Sequence, residues 1–271
     1  MRFRFLQSIF ILALCAVFIM PFTVMLTTSF KTLNDAFSIP VRIFPRPVVF
    51  DNYPAAISKI SFFQYMGNTA FITFMCLLGQ LLVTPLVAYS LAKIAWRGAN
   101  VISGLLMMTM MIPYTVTMIP LYKIWHSLHL TNTYAPLIVP AFFGTSFYII
   151  IMRQFMKGIP QSLLEAAKID GATELQRYCY VALPLCKPAL TTIAIYSFLN
   201  AWSDYLAPLL YISKKERLTL SLGLQQFLNE YTVDWNLLMA AAVIFIIPIL
   251  LMFIFFQRNF VEGIATTGIK A

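Results

Sequence analysis

Six runs of this chain, at about 5–30, 68–92, 100–122, 131–152, 188–213 and 235–257, carry no charge or a single one. Each is longer than the roughly 20 apolar residues that a helix needs to cross a bilayer. In hydrocarbon every backbone polar group must be satisfied internally, and isolated runs of this length cannot close a barrel. The runs therefore predict an all-α integral membrane protein with six transmembrane helices. Composition agrees: 60% of the 271 residues are hydrophobic and 11% are charged, less than half the share of about 25% found in soluble domains.

The opening "MRFRF" and the apolar residues after it have the look of a secretory signal. The run is about twice the length of a signal core and no small-x-small site closes it, so it is expected to stay as the first span. Lys and Arg then set the orientation. With the N-terminus inside, Arg2, Arg4, Lys93, Arg97, Arg153, Lys157, Lys168, Arg177, Lys187, Arg258 and Lys270 are cytosolic, eleven of the nineteen. That bias favours N-in and C-in. The net charge of +9 then reflects topology and anionic headgroups more than nucleic acid.

Several chemistries are set aside by what the sequence lacks. It has no phosphate-cradling P-loop pattern, so nucleotide is not expected to bind here. His126 and His129 have no third ligand nearby and make a poor metal site. The cysteines, Cys15, Cys76, Cys179 and Cys186, follow no framework spacing and are expected to be free thiols. Within the runs one acid stands out, Asp204 in "NAWSDYLAPLL". A carboxylate at mid-membrane costs about 2.5–3.5 kcal/mol on insertion scales. It must face a pathway, a partner subunit or water at a helix end. One such group is thin for a secondary carrier, which couples to protons or sodium through several. Each run also contains proline, which bends a helix.

Between the fourth and fifth runs lies the loop at 154–187, which contains the polar stretch "PQSLLEAAKIDGATELQRYCYVALPLCK". Ser162 with Glu165, and Thr173 with Gln176, have capping-box spacing. Gly171 suits a left-handed helix end. Pro184 and Pro188 are expected to stop the second helix and lead into the fifth span. The segment reads as helix, glycine turn, helix, too short and polar to span. It would act as an elbow that moves the fourth and fifth spans together.

Glu165-Ala166-Ala167, Gly171, Val181 and Leu183-Pro184 resemble the E-A-A loop of ABC-importer permease subunits. "PFTVMLTTSFK", "NAWSDYLAPLL" and the ending "QRNFVEGIATTGIKA" resemble the carbohydrate branch, closest to the shorter six-span subunit of maltose-type importers. Ser203 and Ala271 depart from the branch pattern, which has Asn and Gly there. The resemblance implies the type I importer permease architecture and no catalytic residues. Glu165, Ala166, Ala167, Asp170, Gly171, Leu183 and Pro184 would couple to the ATPase, and Asn200, Trp202 and Asp204 would face the pathway or a subunit interface. It also implies a longer permease partner, two cytosolic ATPase copies that bind ATP and magnesium, and an extracytoplasmic solute-binding protein met by the loop at 213–236. The solute would be an oligosaccharide; the nearer alternative is glycerol phosphate or another small polar solute. A secondary carrier or a non-transporting scaffold are the more distant ones.

Overall fold

The computed structural model describes residues 2–40, 42–228 and 233–268, with side chains over 7–40, 42–228 and 233–257. Helices make up nearly all of the regular structure, and no strand occurs among the described residues. Four helices are long and apolar enough to cross a membrane: Gln7–Thr28, Phe62–Lys93, Ala135–Lys157 and Trp235–Gln257. Two bent pairs join them, Ala99–Met110 with Tyr114–Ser127 and Glu174–Leu185 with Lys187–Trp202. Six spans result when each bent pair counts as one.

Proline does not act alike in all of them. Pro21, Pro85 and Pro248 sit inside helices that run on unbroken. The third span, expected as one helix over 100–122, is instead two helices at 102° to one another. Pro113 adopts an extended ψ of 140° between them, and a residue with no N–H cannot carry the ladder onward. The fifth span, expected over 188–213, ends its main helix at Trp202 and resumes as Leu206–Tyr211 after a break at Ser203. The fourth is a composite, in which a 3-10 turn at Val139–Phe143 precedes Ser146–Lys157.

The chain forms two compact units. One combines 1–66 with 220–250. Its polar centre is Asn52, buried, which donates to the Ser29 and Lys31 carbonyls at 2.9 and 2.8 Å. Asn236 in turn donates to the Asn52 side chain at 2.9 Å. The expected outer loop over 213–236 is largely ordered, with helix Leu220–Leu224 in it; 229–232 lie outside the described residues.

The other unit, 67–219 with 251–271, contains the larger core. Ala88, Met152, Met156, Leu164, Tyr178, Ala182, Cys186 and Ile193 are all buried there together. Small residues let the backbones close in. At Gly79 an added Cβ would lie 3.0 Å from the Ala141 carbonyl carbon, so this crossing requires the bare backbone.

Candidate functional site: an elbow and a polar cavity

The elbow is built from its helix ends. The helix Gln161–Ile169 starts two residues earlier than the Ser162–Glu165 capping box requires. Pro160 occupies the cap position and no side chain caps the helix. Its extended ψ of 131° sets the entry, and its carbonyl accepts from Leu163 at 3.2 Å. Ser162 thus sits inside the first turn, too far along to cap. The Glu165 side chain is exposed and makes no hydrogen bond or ion pair among the described residues. A carboxylate with no work inside its own chain is free to meet something outside it.

The other end is as the sequence predicts. Gly171 has φ of +82°. The Ala172 N–H donates to Ala167 at 2.9 Å and the Gly171 N–H to Lys168 at 3.1 Å, the paired bonds of a Schellman turn. No atom lies within 4 Å of where a Cβ would stand. The need for glycine is therefore conformational and not steric. Thr173 and Gln176 then form the reciprocal capping box, with Gln176 N–H donating to Thr173 at 3.3 Å and Thr173 N–H to Gln176 at 2.8 Å.

Beyond this cap the chain departs from the expected stop at "LPLCKP". A π turn spans Tyr178–Ala182 and leads directly into Leu183–Leu185. Proline's ring clashes with the carbonyl four residues back. Widening the turn before Pro184, so that Leu183 N–H reaches back to Tyr178, relieves that clash and keeps the helix going. The bend of 76° falls at Cys186, between the two prolines.

What makes this an elbow and not a flap is its buried side. Leu164 is 1% exposed and belongs to the same buried core as Met152 and Met156 of the fourth span and Ile193 of the fifth. Lys93 donates to the Ile159 carbonyl at 2.6 Å, and Tyr89 to Glu174 at 3.3 Å. Glu174 also pairs with Arg177. Of the motif residues, Glu165, Ala166, Asp170 and Pro184 are exposed, Ala167 and Leu183 half-buried. Motif residues and anchors thus alternate, one set outward and one inward.

The second feature is a cavity of about 200 Å³ lined by Cys76, Gln80, Tyr148, Asn200, Asp204 and neighbours. Asn200 donates to the Tyr148 hydroxyl at 2.8 Å. Asp204 is half-buried and accepts from the Ala207 N–H at 3.2 Å, which caps the short helix after the break. Both also line an adjoining space of about 570 Å³ with Tyr114 and Ser203. Trp202 does not join them. It is buried and stacks on Phe198 with centroids 5.5 Å apart. Gln80 is a member that the sequence reading missed. It is buried, donates to Thr145 at 2.7 Å and accepts from Thr84 at 3.0 Å. An amide deep inside a long apolar run was the available signal, since such groups hold helices together in membranes.

Residues 84–266 match the family described as the binding-protein-dependent transport system inner membrane component. The chain belongs to this family. Among its relatives in it is the arabinooligosaccharides transport system permease protein AraQ of Bacillus subtilis, 30% identical over 99% of this chain and 96% of that one. The probable starch degradation products transport system permease protein AmyC of Thermoanaerobacterium thermosulfurigenes is 31% identical over 98% and 97%. In fold, the chain is similar to a bacterial ABC transporter involved in the import of the acidic polysaccharide alginate. The TM-score is 0.83 at 24% identity, covering 94% of this chain and 95% of that one. The architecture is accordingly that of an ABC importer permease.

Proposed function

We infer that this chain is the permease subunit of a binding-protein-dependent ABC importer for an oligosaccharide, resident in a bacterial cytoplasmic membrane. The observation that carries the reading is the elbow. Its outer face offers Glu165, Ala166 and Asp170 with no partner for the Glu165 carboxylate among the described residues, while Leu164 and Tyr178 bind it into the core shared with the fourth and fifth spans. Force applied at Glu165 would reach Lys187–Trp202, the helix whose far end meets the break beside Asp204. The machine would be completed by a longer permease, two ATPase subunits holding ATP and magnesium, and an external solute-binding protein. The polar cavity at Asn200 and Asp204 would form part of the solute path. The relatives' names, arabinooligosaccharides and starch degradation products, support a saccharide over glycerol phosphate.

The test is ATP hydrolysis by the reconstituted complex, with and without saccharide-loaded binding protein. Gly171→Val places a β-branched residue at φ of +82°, a strain of about 1–3 kcal/mol. It is expected to insert normally yet lose both stimulated hydrolysis and uptake. Full stimulation in Gly171→Val would reduce the segment to a connecting loop.

A further inference from the structure

We propose that this chain carries a built site for the headgroup of an anionic phospholipid, at the root of the elbow on the cytosolic side. A cleft of about 500 Å³ opens between the end of Phe62–Lys93, the start of Ala99–Met110 and the end of Ser146–Lys157. Arg97, Arg153, Lys157 and Asn100 line it, over an apolar floor that includes Leu91. No carboxylate lines it among the described residues, and none of its three cations forms an ion pair there.

Arg153 is the deciding member. It is 6% exposed, and only its Nε is bonded, to the Leu91 carbonyl at 3.3 Å. The two terminal nitrogens of that guanidinium have no partner among the described residues. A buried arginine so placed presents a planar fork that matches two oxygens of a phosphate. Arg97 and Lys157 are exposed at the rim, where they can close on the same anion. Trp96 also lines the cleft, its indole donating to the Ser90 carbonyl at 3.1 Å, in the manner of aromatic residues at the headgroup level. Basic clefts between spans on the cytosolic side select acidic lipids for these reasons. The elbow helix starts at Gln161, a few residues past Lys157, so a bound headgroup would brace the base on which it turns. The inference rests on the N-in orientation adopted above.

The full-length chain, delipidated in detergent, is titrated with phosphatidylglycerol or with phosphatidylcholine of the same acyl chains, and adducts are counted by native mass spectrometry. Phosphatidylglycerol is expected to be retained in preference. Arg153→Gln should abolish the preference, but it also removes a bond to Leu91. The double variant Arg97→Gln, Lys157→Gln, at exposed positions, therefore decides. At around 1 kcal/mol per basic residue, it should weaken phosphatidylglycerol binding roughly thirtyfold and leave phosphatidylcholine unchanged. Undiminished binding in the double variant overturns the proposal, as does equal retention of both lipids by the native chain. Occupancy by inorganic phosphate alone at the same concentrations would assign the cleft to a soluble anion and overturn it too. None of these readouts involves transport, so the importer reading stands or falls separately.

Discussion

The two bends of this chain differ in what holds them. At 111–113 the helix Ala99–Met110 gives way to Tyr114–Ser127, which has no buried residue, and Met111 is 83% exposed. At Cys186 the bend is 1% exposed, with Ala182 and Ala189 beside it at 0%. Both lie next to a proline. Proline thus marks where a span can turn, and packing decides whether the turn is fixed. A bend closed in on both sides passes a displacement from one arm to the other. An open one lets its outer arm adjust to whatever lies against it, lipid or protein.

The contrast can be broken at its strongest point. Leu164→Ala empties a fully buried position under the elbow and should cost about 2–5 kcal/mol, read as a lowered thermal midpoint in detergent. Met111→Ala, at the open bend, should leave that midpoint in place. If the two variants melt alike, the elbow is no better held than the third span.

Next in size is the far end of the helix that the closed bend steers. Asp204→Leu removes the cap on Ala207 and the charge beside the cavity, and should abolish most uptake. Asp204→Asn keeps a cap and should retain part of it. Native uptake in both would remove the carboxylate from the path. Gly171→Ala sharpens the comparison further down the scale. With nothing within 4 Å of the added methyl, the cost is that of the left-handed backbone alone, about 1–2 kcal/mol. Gly171→Asn should cost less, because asparagine tolerates that region.

The smallest effect is a labelling difference. Cys179 is exposed and Cys186 buried. A bulky, membrane-impermeant maleimide should modify Cys179 only after the membrane is opened, and should leave Cys186 untouched. Cysteines placed at Ser38 and Thr219 test the opposite side, with Thr219, a buried position, reacting slowly. Labelling of Cys179 in intact cells would invert the orientation, and with it the sidedness of the elbow and of the lipid site.

Much of the elbow was legible because its signals are local. A left-handed Gly171 and a Thr173–Gln176 box each involve residues within three or four positions, where backbone geometry dictates the outcome. Ser162 and Glu165 had the same spacing and failed. The cap position went to Pro160, and spacing alone cannot tell which of several neighbouring residues begins a helix. The "LPLCKP" stop failed for a related reason. A π turn is a compromise between Pro184 and the neighbours that bury Tyr178 and Ala182, and those neighbours are far away in sequence.

The sequence by itself determined the solvent, the number of crossings and the family. Twenty uncharged residues in a row have one physical answer in water and lipid, and the E-A-A pattern is long enough to identify its loop. Tertiary structure alone decided which prolines bend their spans, which motif residues face outward, and that Gln80, Tyr148, Asn200 and Asp204 share one cavity. Those outcomes depend on packing between segments that lie tens of residues apart in sequence. No local pattern records that packing, because burial belongs to the assembled spans and not to any one of them.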